Sequence, residues 1–195
     1  MVTFKKKEII YRLYETVLKT IVDVIMIVCM TYLIVVSFFN RTTVSGHSMN
    51  NTLNNNDTVL INSLAYTFHE PERFDLIVFE SKSEDNSALY VKRVIGLPGE
   101  TVQIKNGMVY IDDKPLENDI IKDEIFNAGL AASPVKLAYN EYFVLGDNRN
   151  NSDDSRYSNI GNVTRESIVG KPWLRIKPVS SFGKIKYKSL NTEVE

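Results

Sequence analysis

The stretch "ALYVKRVIGLPGETVQIKNGMVYID", residues 88–112, predicts a β-sheet domain. Its apolar residues come in short runs rich in Val, Ile and Tyr, which are typical of strands. Asn106 and Gly107 separate two of these runs, and both residue types tolerate the positive φ angles that a type I′ hairpin requires. We therefore expect strands at 88–96, 101–105 and 108–112, with a tight hairpin between the last two.

Short apolar runs of the same kind recur along the chain and predict a mainly β fold. Four further strands are expected, at 58–62, 74–80, 141–146 and 172–176. Residues 113–140 are mixed and polar, so we expect a loop-rich insertion there. The β-rich domain is expected to occupy residues 40–180, followed by a C-terminal tail at 181–195.

The N-terminal part of the chain predicts a membrane anchor. Residues 20–39 are almost all apolar, with Asp23 as the one charge, and about 20 helical residues are needed to cross a bilayer core. The preceding segment, 1–19, carries an excess of basic residues at Lys5, Lys6, Lys7, Arg12 and Lys19. Excess Lys and Arg beside a span predicts a cytoplasmic N-terminus. We therefore expect a single-pass protein of the cell membrane, in contact with lipid, whose β-rich domain is extracytoplasmic.

A cleaved signal peptide is the alternative interpretation of this segment. The apolar region of a signal peptide is usually shorter, about 7–15 residues, and a small-x-small cleavage site follows it. Here the apolar run ends in Ser-Phe-Phe-Asn-Arg at 37–41. A retained anchor is therefore the better prediction.

Composition excludes several classes of function. The net charge is −1 and no basic stripe is interleaved with aromatic residues, so nucleic acid is not an expected partner. The single cysteine, Cys29, lies inside the apolar run, which leaves no disulfide within the chain. The two histidines and this cysteine have no metal-ligand spacing, so we expect no metal site.

The segment "TTVSGHSMNNTL", residues 42–53, places Ser48 in a polar, turn-like stretch directly after the apolar run. A serine hydroxyl becomes a useful nucleophile only when a base takes its proton. Lys92 and Arg93 interrupt an apolar strand, and strand alternation would direct one of the two inward. A buried lysine loses its proton more readily and can serve as that base. From this segment alone, however, two solvated side chains are the more economical interpretation.

The segment "LGDNRNNSDDSRYSNIG", residues 145–161, predicts a tight system of turns. One interpretation is a structural turn held by Asp–Arg pairs. The other is a loop that shapes an active site, with the hydroxyl of Ser152 or Ser155 orienting the base.

In chain order, these three segments resemble the Ser-Met box, the lysine box and the Gly-Asp-Asn box of the type I signal peptidases. "RFDLIVFE", residues 73–80, resembles the remaining strand box of that family. Its members are membrane-bound Ser-Lys proteases that remove signal peptides from exported proteins. The resemblance implies a signal-peptidase-like β-sheet catalytic domain, no cofactor, and preprotein substrates with small residues at the first and third positions before the cut.

The resemblance also implies a role for each matching residue. Ser48 matches the nucleophile, Lys92 the general base and Ser152 the serine that orients the lysine. Three residues match those that keep the last box in shape: Asp147, Asp154 and Arg156. Gly46 occupies the position where some members carry an oxyanion-binding hydroxyl, so backbone N–H groups would have to stabilise the anion.

The chain departs from the family pattern at two positions. Asn51 stands where a proline is usual, and Phe74 stands where a glycine is usual. His47 is adjacent to Ser48, but neighbouring side chains of an extended segment diverge, so we reject it as the base.

Two rival functions are expected to fail. A LexA-like self-cleaving repressor also pairs serine with lysine, but it does not account for the apolar run and needs a DNA-binding helix pair. A catalytically inactive, membrane-tethered peptide-binding domain would not need Ser48, Lys92 and Ser152 together.

Overall fold

The computed structural model describes residues 2–50, 52–81 and 88–185. The chain divides into two compact units, Met1–Phe39 and Asn40–Glu195. The first unit is a single helix, α1, that spans Val2–Phe38. Within it, the 22 residues Arg12–Leu33 are long and apolar enough to cross a membrane, and their side chains are exposed. The helix therefore extends through the charged segment that precedes the predicted span.

The second unit is built from β-strands, which confirms the predicted mainly β fold. The twelve strands of the described chain are β1 (Phe39–Thr43), β2 (Thr58–Asn62), β3 (Leu76–Glu80), β4 (Leu89–Gly96), β5 (Thr101–Lys105), β6 (Met108–Ile111), β7 (Lys114–Pro115), β8 (Val135–Lys136), β9 (Glu141–Leu145), β10 (Val163–Thr164), β11 (Ile168–Lys177) and β12 (Gly183–Lys184).

The strands form a large and a small sheet. The order in the large sheet is β1-β2-β11-β3-β4-β9-β10, and β12 pairs with β11. The order in the small sheet is β7-β6-β5-β8. Strand β4 is an interior strand between β3 and β9, and its Lys92 lies opposite Ile77 of β3. The strand that carries the candidate base is therefore hydrogen-bonded to a neighbouring strand on each side.

Most of the predicted strands are present. Strands β2 and β5 have the predicted bounds, and in both of them burial alternates along the strand. Asn106 and Gly107 have φ angles of 50° and 75°, which confirms the hairpin turn. The predicted strand at 172–176 is one half of the ten-residue β11. The insertion at 113–140 holds the short strands β7 and β8 and a 3-10 turn at Gly129–Ala132.

Apolar side chains cover both faces of the central strands. Leu76 and Val78 of β3 pack in a cluster with Met49, whereas Ile77 and Phe79 pack in a second cluster with Tyr142. On β4, residues 91–96 are all buried. A polar side chain on this part of β4 is consequently buried, whichever face of the sheet it projects from.

The structure shows how the chain accommodates Phe74 at the position where the family usually has glycine. Its φ angle is +71°, in the left-handed region where glycine is unstrained and other L-residues are not. The backbone there is held by a hydrogen bond from Phe74 N–H to the Val94 carbonyl, 2.8 Å long. The phenyl ring is only 3% exposed and belongs to a core cluster, so its burial offsets the backbone strain.

Two predictions fall partly or wholly beyond the described residues. In the predicted tail, β12 pairs with β11 and Ile185 is buried, while residues 186–195 lie outside the described residues. Asn51, the second departure from the family pattern, also lies outside them.

Candidate active site

Ser48 lies in a turn that is anchored on both sides. Before it, Val44 exchanges backbone hydrogen bonds with the 56–57 segment, at 2.8 and 2.9 Å. After it, Met49 and Leu53 are 1% and 0% exposed in the core. The anchors fix the turn, and Ser48 itself stays partly exposed.

The structure brings Ser48 and Lys92 together. Lys92 Nζ lies 2.6 Å from Ser48 Oγ, within hydrogen-bonding distance. Lys92 is only 2% exposed, and burial lowers its pKa from the usual 10.5 to about 8, although nearby Asp154, Asp153 and Asp147 act in the opposite direction. Near neutral pH, a substantial minority of the molecules therefore carry the neutral amine that can accept a proton.

Arg93 is buried as well, which corrects the expectation that only one residue of this basic pair turns inward. Its exposed fraction is 1%, because both faces of β4 are covered at this point. Its Nε and Nη2 atoms donate to the two carboxylate oxygens of Asp147, at 2.7 and 2.6 Å. Its Nη1 donates to the Phe74 carbonyl at 2.8 Å. Lys92 thus faces Ser48, and Arg93 connects the same strand to the residues that follow β9.

Residues 146–156, called loop 146–156 below, are held by buried carboxylates. Asp154 accepts hydrogen bonds from Arg156 Nε at 2.8 Å and from Arg156 Nη2 at 2.9 Å. It also accepts one from the Gly146 backbone N–H at 3.1 Å. Asp147 pairs with Arg93, and it also accepts a hydrogen bond from the Thr52 hydroxyl. Loop 146–156 is therefore connected to both β4 and the segment that carries Ser48.

Asn148 supplies a second connection that sequence reasoning missed. Its backbone N–H donates to the Ser48 carbonyl at 2.9 Å. Its side-chain Nδ2 donates to the His47 carbonyl at 3.1 Å. Asn148 belongs to the Gly-Asp-Asn box, but no pattern in that box indicates a partner 100 positions upstream. The imidazole of His47 is exposed, and only its backbone takes part.

Ser152 lies beside the dyad without a hydrogen bond to it. Its hydroxyl is buried and has no hydrogen-bond partner among the residues that the structure describes. Packing is tight there, since a Cβ at Gly146 would stand 2.1 Å from Ser152 Oγ and 2.6 Å from the Ser48 carbonyl oxygen. Ser155 Oγ accepts the Val144 N–H at 2.9 Å, and the described residues include no hydrogen bond between Ser155 and Lys92. The orienting role of Ser152 stays a prediction.

The backbone around Ser48 leaves room for an oxyanion. Within the described chain, no hydrogen bond occupies the Ser48 N–H. Gly46 has a φ angle of +92°, and its N–H donates to the Asn55 side chain at 3.0 Å. A side chain at position 46 would thus be strained, and this turn offers the backbone N–H of Ser48 as a donor.

A cleft of about 290 Å³ opens at Ser48 and Lys92. Its walls are two extended segments, residues 42–45 and 88–92, completed by Met49. A larger cavity of about 540 Å³ lies against the insertion and contains neither Ser48 nor Lys92. The smaller cleft is the candidate active site, because it contains Ser48 and Lys92, whose Oγ and Nζ atoms lie 2.6 Å apart. In the described residues, no group of three His, Cys, Asp or Glu side chains is arranged to hold a metal ion.

The chain is similar to known proteins over most of its length. The sequence profile of the family described as Signal peptidase, peptidase S26 matches residues 17–176. A signal peptidase I of Leptolyngbya laminosa is 39% identical over 148 residues, which are 73% of this chain and 70% of that protein. Signal peptidase I U of Bacillus subtilis (strain 168) is 32% identical over 191 residues, which are 95% of this chain and 96% of that protein. A crystal structure of a signal peptidase I from Enterococcus faecalis V583 is 34% identical, covers 52% of this chain and 96% of its own, and has a TM-score of 0.40.

Proposed function

Since the chain belongs to the signal peptidase family, peptidase S26, as a type I signal peptidase, we propose that it cuts its substrates with a Ser48–Lys92 dyad. The chain is a serine endopeptidase, a hydrolase that removes signal peptides from preproteins. The observation that supports the dyad is the 2.6 Å separation of Lys92 Nζ and Ser48 Oγ.

In the proposed mechanism, Lys92 is the general base. With a pKa of about 8, roughly a tenth of the molecules carry a neutral amine at pH 7. That amine takes the Ser48 proton as Oγ attacks the scissile carbonyl. The protonated amine then gives its proton to the leaving amino group, and a water molecule hydrolyses the acyl-enzyme with Lys92 again as base.

Two groups assist this proposed reaction. The unoccupied N–H of Ser48 stabilises the oxyanion, and such a donor contributes about 2.7–4 kcal/mol to the transition state. Ser152 orients the Lys92 amine, which gives its buried, unpartnered hydroxyl a function. Asp147, Asp154 and Arg156 hold the loop that carries Ser152. Gly46 keeps the approach to Ser48 free of a side chain.

The cleft supports a preference for small residues before the cut. An extended substrate would lie between residues 42–45 and 88–92, where side chains at alternate positions point into the same wall. A cleft of about 290 Å³ that must also hold the substrate backbone leaves room for small side chains. We therefore assign small residues to the first and third positions before the cut.

Helix α1 is assigned the role of membrane anchor. Its Arg12–Leu33 segment has the required length and composition. The basic residues at its N-terminal end assign the N-terminus to the cytoplasm. The protein then crosses the membrane once, and the catalytic domain acts on the extracytoplasmic side.

The dyad is tested by incubating the purified full-length chain in detergent with a preprotein that carries an Ala-x-Ala cleavage site. Ser48→Ala and Lys92→Ala are each expected to abolish cleavage while circular dichroism stays that of the wild type. Full activity of Lys92→Ala would exclude the dyad. A wild-type chain that binds the preprotein but never cuts it would support the inactive peptide-binding alternative.

A further inference from the structure

The insertion, residues 113–140, contacts loop 146–156 through a buried ion pair. Arg149 Nη1 and Nη2 donate to the two carboxylate oxygens of Asp119, at 2.8 and 2.7 Å. The Arg149 side chain is 2% exposed, and that of Asp119 is 16% exposed. Two parallel hydrogen bonds of this kind fix direction as well as distance.

The carboxylate of Asp119 compensates the buried positive charge of Arg149. Its Nε is buried and has no hydrogen-bond partner among the described residues. Among the described residues, Asp119 is the carboxylate that forms a salt bridge with Arg149. A buried guanidinium without a counter-ion is strongly unfavourable, so removal of the Asp119 charge would drive Arg149 toward water and displace the loop.

Hydrogen bonds to backbone groups of the insertion reinforce the same attachment. The Asn150 side chain accepts the Phe126 N–H at 2.9 Å and donates to the Glu124 carbonyl at 2.8 Å. Arg156 Nη1 donates to the Asn127 carbonyl at 3.0 Å. The insertion therefore holds loop 146–156 at three points.

The other side of the loop faces the dyad. Asn148, the neighbour of Arg149, donates its backbone N–H to the Ser48 carbonyl. The negative charges of Asp153 and Asp154 in the same loop raise the pKa of Lys92, against the larger effect of burial. A displacement of Arg149 would thus be passed to Ser48 through one intervening residue.

We propose that Asp119 is a positioning residue, which holds loop 146–156 in place through Arg149 and thereby aligns Ser48 with Lys92. This inference rests on the proposed Ser48–Lys92 function. It predicts an effect on the chemical step and not on substrate binding, because neither the insertion nor loop 146–156 lines the substrate cleft.

The test compares Asp119→Asn with Asp123→Asn in the full-length protein in detergent. Asp123 lies in the same insertion and borders the same large cavity. Its side chain is exposed and has no ion-pair partner among the described residues, so its replacement is a matched control for the loss of one charge. The readouts are kcat and KM for a preprotein, and thermal unfolding followed by circular dichroism.

For Asp119→Asn, kcat is expected to fall on the order of tenfold, because a small misplacement of reacting groups is costly. KM should stay within about twofold of wild type, and Asp123→Asn should match wild type in both constants. Asp119→Glu, which keeps the charge, should recover part of the lost kcat. An unchanged kcat in Asp119→Asn would overturn the inference, as would a loss of kcat no larger than the loss of folded protein, or a change mainly in KM.

If Asp119→Asn does not fold, the double variant Asp119→Asn/Arg149→Gln decides the question by the same criteria, because it removes the ion pair without leaving an unpaired buried charge. The two proposals fail separately. Activity in Lys92→Ala would end the dyad proposal, whereas an unchanged kcat in the Asp119 variants would end only the positioning role.

Discussion

Replacement of Lys92 with methionine is expected to abolish activity and at the same time to stabilise the fold. Burial lowers the pKa of Lys92 from 10.5 to about 8, so its charged form is less stable in the folded chain than in the unfolded chain. At about 1.36 kcal/mol per pKa unit, the charged lysine costs about 3 kcal/mol of folding free energy at pH 7. Methionine has a similar shape and loses a hydrogen bond to Ser48 worth about 1 kcal/mol, which leaves an expected gain of about 2 kcal/mol.

This gain depends on pH in a defined direction. Below pH 8 the amine is protonated in both states, so the cost is constant. Between pH 8 and 10.5 the folded state is neutral while the unfolded state is charged, so the cost shrinks as pH rises and is absent above 10.5. The assay is urea unfolding of the full-length chain in detergent at about pH 7 and about pH 10, followed by the fluorescence of Trp173, the single tryptophan.

Lys122→Met serves as the control, because Lys122 is exposed and its replacement should change stability little at either pH. The reasoning about a desolvated amine is refuted if Lys92→Met is less stable than wild type at neutral pH. It is also refuted if the gain in stability is the same at both pH values.

Three other measurements address the same region. The kcat/KM for preprotein cleavage is expected to rise about tenfold per pH unit below pH 8 and to level off above it. Asp153→Asn should move this rise to lower pH, because Asp153 raises the Lys92 pKa. A flat profile below pH 8 would contradict Lys92 as the base. Gly146→Ala should lose most activity, since the new Cβ would stand 2.6 Å from the Ser48 carbonyl oxygen, and preprotein cleavage at the wild-type rate would show that the loop yields without cost. Phe74→Gly should be more stable than Phe74→Ala by up to about 1 kcal/mol, because the φ angle of +71° strains alanine. This is the reverse of the usual order of the two residues. Urea unfolding in which Phe74→Ala is the more stable variant would contradict the prediction.

Local sequence patterns predicted most of the long strands, whereas the family resemblance singled out the two residues of the proposed dyad. Strands β2 and β5 alternate between buried and less buried side chains. In β5 the sequence itself shows this alternation, since Val102 and Ile104 are separated by the polar Gln103. Ser48 and Lys92 could be named because each lies in a distinctive short segment. The two-residue strands β7, β8 and β10 could not be predicted, since each is too short to carry a pattern and is defined by its pairing with β6, β5 or β9.

Burial of charged side chains was the main feature that local patterns did not predict. Arg93 is stable inside the sheet because Asp147, 54 positions later, supplies a carboxylate. Arg149 is stable while buried in loop 146–156, because Asp119 supplies a carboxylate from the insertion. Periodicity describes one strand at a time, so the second covered face of β4 and the partners that compensate its charges emerge only from tertiary structure.

Gly46 has a consequence for inhibitor design. If Ser48 is the nucleophile as proposed, a covalent compound that acylates it can carry a bulky group across this glycine, because among the described residues other than the two chain neighbours no atom lies within 4 Å of the position that a β-carbon would take. Resistance through a side chain at this position would strain the turn that holds Ser48, since the φ angle of +92° disfavours every residue other than glycine. Drug pressure at this point would therefore meet a target with little freedom to mutate.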